Sequence, residues 1–138
     1  MKHIFMDTNV VIDFLANRQP FALHAARLFN LAVERKAIIY VSAVSYNNIY
    51  YILRQSLSNN ATIKLLDNLA ELVQIADVTN AIIRQSLKTD FKDYEDAIQY
   101  YCALSLAKID FIVTRNTKDF RKSALPVLTP AEAIASMG

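Results

Sequence analysis

Glycine, proline, cysteine and tryptophan are scarce or missing in this chain. Its 138 residues include one Gly, three Pro, one Cys and no Trp. So few turn formers argue against an all-β protein rich in tight hairpins and favour long helices joined by short polar loops. The lone cysteine, Cys102, excludes an internal disulfide and any cysteine cage for zinc. Its apolar neighbours mark it as a small core residue. Long apolar runs are absent too. The N-terminal apolar stretch is short and is broken by Asp7, unlike a secretory signal. No stretch is apolar for long enough to span a bilayer. The expectation is a soluble cytoplasmic protein. Charge of either sign is not in great excess: the net charge is +2 and the sequence pI about 8.7. That imbalance is too small to identify a nucleic-acid partner by itself.

What the chain does have is core material. Hydrophobic residues make up 54% and charged residues 20%, which excludes disorder. The length suits one domain, residues 1–138. Apolar β-branched runs alternate with helical periodicity. Strands are expected at 2–6, 37–41, 73–78, 111–114 and, short, at 126–128. Helices are expected at 9–16, 21–36, 44–55, 60–72, 79–88 and 93–107. A last helix starts with Pro130 at its first position. Ser42 and Thr79 read as N-caps. The 93–107 helix is apolar almost all round and should be buried. Strands alternating with helices imply an α/β protein with a mostly parallel sheet covered on both faces.

Acids fall at the ends of these strands. Asp7 closes the first strand and precedes a helix. At the carboxyl edge of an open α/β sheet it stands where ligands bind, and it serves equally as an N-cap, with Thr8 or Asn9 as rivals. Asp93 and Asp96 share one face of the first turn of the buried helix, where capping and the helix dipole also suit acids. Glu95 is expected to point elsewhere, into solvent. In the segment 114–120, Asn116 or Asp119 can reach the same edge, unless the segment is a plain polar loop. Asn48 shares a helix face with Ser45 and Ile52 at the rim of the core. Tyr50 and Tyr51 read as core or interface residues before base-stacking ones. Two carboxylates about 4 Å apart repel by roughly 4 kcal/mol at an effective dielectric of 20. A divalent cation removes that cost, and all-oxygen donors suit Mg²⁺ or Mn²⁺, not zinc.

Three segments carry a resemblance. They are Met6-Asp7-Thr8-Asn9-Val10-Val11-Ile12-Asp13-Phe14-Leu15, Tyr94-Glu95-Asp96-Ala97-Ile98-Gln99 and Val113-Thr114-Arg115-Asn116-Thr117-Lys118-Asp119-Phe120. In order and spacing they cover essentially the whole chain. The sequence resembles the PIN-domain family of metal-dependent ribonucleases, and within it the small VapC-type toxins of toxin–antitoxin pairs.

The resemblance implies a PIN-like three-layer α/β/α sandwich with a four- or five-stranded sheet. It implies an endoribonuclease that hydrolyses RNA phosphodiesters with one or two Mg²⁺ (or Mn²⁺) ions. The metal would be held by Asp7, Asp96 and Asp119, with Asp93 as a catalytic helper and Thr8, Asn9, Thr114 and Asn116 in support. Arg115, Lys118, Arg121 and Lys122 stand beside that site and would hold RNA phosphates, or else form an ordinary charged loop. Implied partners are RNA, an antitoxin protein and a second copy of the chain, with no membrane. One position departs from the pattern: Asn48 stands where the family usually places a glutamate. That departure leaves open a second class of function, a PIN-fold module that binds RNA or protein with weak or no nuclease activity. A phosphoacceptor of the receiver type fits poorly, because Asn9 stands where a second acid would be needed.

Overall fold

The computed structural model describes residues 1–137, and Gly138 lies outside the described residues. The β-branched runs become five strands: β1 (Lys2–Met6), β2 (Ala37–Ser42), β3 (Gln74–Ala76), β4 (Phe111–Val113) and β5 (Val127–Leu128). Between and after them lie α1 (Thr8–Leu15), α2 (Ala22–Val33), α3 (Ala43–Leu53), α4 (Asn59–Leu72), α5 (Asn80–Leu87), α6 (Tyr94–Ser105) and α7 (Pro130–Ser136). The strands form one sheet in the order β3-β2-β1-β4-β5, with every pairing parallel. This is an α/β architecture with an all-parallel sheet of five strands, where a mostly parallel sheet of four or five was expected.

Side-chain alternation along the strands divides the core in two. Ile4, Met6, Ile39, Val41, Phe111 and Val113 face one side, with Val10, Leu28, Phe29, Ile49, Leu53, Leu69 and Ala133 from α1, α2, α3, α4 and α7. Phe5 and Ile112 face the other, with Ile82, Ile98, Tyr100, Cys102 and Ala103 from α5 and α6. Cys102 is fully buried and free, and burial pushes its thiol up to about 11, so it is core as expected.

Helix starts follow the sequence closely. Ser42, Ser58, Thr79 and Thr129 each accept a backbone N–H at a helix N-terminus, and Thr129 forms a full capping box with Glu132. Ends follow less well. α6 stops at Ser105, and Leu106 is extended, so its last turn is shorter than the pattern suggested. Its outer row, Tyr94, Leu104 and Ser105, is exposed; the helix is not buried all round. Phe21, expected in α2's apolar face, lies at its cap and is 39% exposed. The charged segment after β4 contains a 3-10 turn, Thr117–Phe120, anchored by buried Phe120. With glycine this scarce, left-handed turns fall on Asn17 (φ 50°) and Arg35 (φ 61°), and only the first is a residue that tolerates them well.

The strand order fixes where a ligand goes. The chain moves outward from β1 through β2 to β3, then returns to lay β4 on β1's other side. Where two neighbouring strands lead their connections in opposite directions, a crevice opens at their carboxyl ends. Here that point lies between β1, which runs into Asp7, and β4, which runs into Thr114.

Candidate active site

Asp7 is fixed from three directions. Its own N–H donates to the Val113 carbonyl (2.9 Å), prolonging the β1–β4 ladder by one rung. Its Oδ1 accepts the Thr8 N–H (2.8 Å), and its Oδ2 accepts the Thr114 hydroxyl (2.8 Å). Asp7 therefore caps α1, as one of the two sequence readings had it, and stands where β1 ends beside β4. Only 7% of it is exposed. Burial raises its carboxyl from 3.8 to about 6. The bonds from Thr114 and Thr8 oppose the rise, and the charges of Glu95 and Asp119 add to it.

Beneath Asp7 lies a polar network that sequence reasoning missed. The Thr8 and Ser45 hydroxyls are 2.7 Å apart, and those of Ser42 and Ser45 2.9 Å. The Gln99 amide Nε2 donates to both Ser45 (2.9 Å) and Thr8 (3.2 Å). All four residues are buried. The network ties the N-termini of α1 and α3 to α6, one turn after Asp96. The available signal was a lone amide inside a helix whose neighbours Ala97, Ile98, Tyr100 and Cys102 are apolar: burying an amide costs too much unless it is bonded.

Asp96 faces the same crevice from α6, half-buried. Its carboxyl is raised to about 7, by burial first and then by the charges of Asp7, Asp93, Asp119 and Glu95. Asp93 is the N-cap of α6: its Oδ1 accepts the N–H groups of Glu95 (2.8 Å) and Asp96 (3.2 Å). Asp119, exposed on the 3-10 turn, lines a cleft of about 540 Å³ together with Asp93, Asp96 and Phe91, and the cations Lys92, Lys118, Arg121 and Lys122 rim it. Lys122 is paired with Asp90 (2.8 Å).

Three expectations change. Glu95, although exposed, does not simply point away into solvent. Its Oε1 accepts the Asn48 amide (2.9 Å), and its charge acts on both Asp7 and Asp96. Arg115 does not join the cationic rim. Its Nε lies 2.7 Å from Oδ2 of Asp13, a carboxylate 1% exposed, and its guanidinium stacks 4.0 Å over the Phe21 ring. Asn116 lies with Phe21, His24 and Arg115 along a separate hollow, so of the two candidates in that segment only Asp119 shares the cleft with Asp96. Asn9 is half-buried, and its Oδ1 has no hydrogen-bond partner among the described residues.

The carboxylates converge as charges. Among the described residues, however, no group of three or more His, Cys, Asp or Glu side chains is set closely enough to hold a metal ion as it stands. The donor chemistry itself, carboxylate oxygen throughout, suits a hard divalent cation.

Comparison with known proteins gives a consistent outcome. The PIN domain family profile matches residues 3–118. Ribonuclease VapC1 of Aquifex aeolicus (strain VF5) is 27% identical over 135 residues, covering 94% of this chain and 91% of that one. A toxin–antitoxin complex from Klebsiella pneumoniae contains a chain of the same fold, with TM-score 0.63 and 25% identity over 92% of this chain and 97% of that one. DNA-bound VapBC from Salmonella typhimurium aligns with TM-score 0.70 and 18% identity, covering 94% and 99%.

Proposed function

The chain belongs to the PIN domain family, and on that premise we propose that it is a divalent-metal-dependent endoribonuclease acting as the toxin of a toxin–antitoxin pair. One observation carries the reading. Asp7, Asp96 and Asp119 come from three separate segments that meet at the switch point of the sheet, and there Asp7 and Asp96 are raised to about 6 and about 7, by burial first and then by the charges of neighbouring acids. Such a gathering is unfavourable unless a cation repays it. Asp7, Asp96 and Asp119 would hold Mg²⁺ or Mn²⁺, one ion or two. A bound ion would supply an acidified water and would neutralise charge on the leaving oxygen of a phosphodiester.

The chain's own groups do the remaining work. Thr8 and Thr114 hold the Asp7 carboxylate in one orientation whether or not it is protonated. The Thr8–Ser45–Gln99 network keeps α6, and so Asp96, at a fixed height over the sheet edge. Lys118 and Arg121 on the cleft wall hold RNA phosphates on either side of the bond to be cut. The relative named as a ribonuclease and the chain in a toxin–antitoxin complex support the substrate and the partner. An antitoxin segment lying over the cleft would block the carboxylates. Homodimerisation and a cytoplasmic location belong to the same reading, and among the described residues no helix is long and apolar enough to cross a membrane.

The test is cleavage of single-stranded RNA with Mg²⁺ or Mn²⁺, with EDTA and with Asp7→Asn. Cleavage that needs the metal and is lost in the variant is the expected result. Cleavage that persists in EDTA, or in Asp7→Asn, defeats the proposal. Neutral Asn48 favours one alternative, a PIN-fold binding module. It would shift RNA in a gel without cutting it in either metal.

A further inference from the structure

The hollow beside Asn116 differs in kind from the acidic cleft: among the described residues no acid lines it. It encloses about 340 Å³, within the range of small-ligand sites. Phe21 and Ala131 belong to its apolar wall, and His24, Arg115, Asn116 and Thr129 to its polar one. We propose that this hollow holds one nucleotide of single-stranded RNA beside the bond to be cut, its phosphate on Arg115 and its base against the apolar wall. The proposal rests on the ribonuclease reading above and extends the substrate path beyond the cleft.

Arg115 is held so that its outer edge stays free. Asp13 stands behind it with Oδ2 2.7 Å from Nε, and the Phe21 ring covers one face of the guanidinium. The Asp13 contact lies off the hydrogen-bond line, and neither Asp13 oxygen has a hydrogen-bond partner among the described residues. A buried carboxylate in that state is costly unless cations hold it. Arg115 does so, with Arg18 at 3.9 Å on the other oxygen. Two cations on one carboxylate leave positive charge in excess at the hollow. The Nη1 and Nη2 groups of Arg115 make no hydrogen bond among the described residues, and the side chain is 26% exposed. A guanidinium fixed at Nε and on one face presents its remaining donors as a rigid fork, the match for two oxygens of one phosphate.

The segment after β4 decides whose phosphate it is. Thr114 donates to Asp7, Arg115 and Asn116 line the hollow, and Lys118 and Asp119 line the cleft. From Asn116 to Lys118 the backbone spans at most about 7 Å, so hollow and cleft are neighbouring recesses on one ridge. A single strand crossing that ridge meets both, and its phosphates recur from one to the next. The other walls suit a base. Unstacked bases pack on aromatic rings and guanidinium planes, and side-chain amides and hydroxyls bond their edges. Phe21 is exposed, and His24 is half-buried beside it. The exposed Asn116 amide offers donors and an acceptor, and the Thr129 hydroxyl, which accepts the Glu132 N–H, still has its proton to donate. An acidic peptide offers the fork a carboxylate but brings nothing planar for the wall.

The test is fluorescence anisotropy of an end-labelled, mixed-sequence single-stranded RNA oligonucleotide in EDTA. Ala131→Trp fills the hollow from an exposed position and leaves the Asp13–Arg115 pair alone. It should weaken binding by about fivefold or more, the order of one base's stacking. Its melting temperature should match the wild type, which excludes misfolding as the cause. Arg115→Lys keeps a charge beside Asp13 but has no fork, and should weaken binding by a similar factor. Wild-type RNA affinity in both variants, alongside a loss in Lys118→Ala, overturns this proposal and leaves the ribonuclease reading standing. A glutamate-rich peptide that binds the wild type and not Ala131→Trp, while RNA binds both equally, makes the hollow a peptide site and also overturns it. No RNA binding by the wild type overturns the proposal, and if Mn²⁺-dependent cleavage is absent too, the ribonuclease reading falls with it.

Discussion

At the scale of single residues, the site is a balance between burial and charge. Asp7 is nearly enclosed, and its carboxyl stands at about 6 against 3.8. Between those values the folded protein holds a proton that the unfolded chain has released, so stability falls as pH rises. For Asp7 the loss amounts to about 3 kcal/mol, since each pH step of one between the two values removes about 1.36 kcal/mol. Half-open Asp96, raised to about 7, adds a smaller amount that solvent screens. In EDTA the melting temperature should therefore drop between about pH 4 and pH 7, and Asp7→Asn should flatten that slope and raise the value at the alkaline end. Parallel melts for the two proteins would show that Asp7 is not the source. Sequence order placed Asp7 and Asp96 at element boundaries, where the structure has them, because periodicity marks those boundaries. It misplaced Glu95. A side chain's aim across a crevice depends on a partner 47 residues away, Asn48, and spacing within α6 carries no trace of it.

At the scale of elements, the segment after β4 does two jobs that composition could not tell apart. Arg115, Lys118 and Arg121 look alike in sequence, yet Arg115 binds buried Asp13 and caps the Phe21 ring, while Lys118 and Arg121 face the cleft. Removing one partner of a buried ion pair strands the other. Arg115→Ala should lower unfolding free energy by about 3 kcal/mol in urea titrations. Lys118→Ala should change it by less than about 0.5 kcal/mol while weakening RNA affinity. Equal, small stability changes would mean that Arg115 belongs with the other cations. α6 offers a second case. Gln99→Leu removes the amide that serves Thr8 and Ser45, at a cost of about 1–2 kcal/mol. Its effect should extend to Mn²⁺ affinity, since Asp96 lies one turn away; a stability loss with unchanged affinity would make the network a core feature alone.

For the whole molecule, the strand order is the deciding quantity. With β1 central and β4 on its far side, the ends of β1 and β4, the first turn of α6 and the 3-10 turn at Asp119 meet at one edge. If that edge binds a cation in the folded state only, free Mn²⁺ at about 100 times its dissociation constant should add about 2.7 kcal/mol of stability. Several degrees of added melting temperature are expected, and none in Asp7→Asn. An identical melt with and without Mn²⁺ in the wild type would defeat this.

The sequence by itself determined the α/β class, the helix starts and which strand ends carry acids. Those depend on local periodicity, capping chemistry and apolar runs, all of which act over a few residues. The tertiary structure alone decided that Asp119 and not Asn116 joins Asp96, that Arg115 turns inward to Asp13, that Gln99 is the buried tie, and that Asn48 bonds Glu95. Each of those is a contact between segments far apart in the chain. Its geometry is set by how five strands are ordered and how two helical layers pack on them, and neighbouring residues do not encode that order.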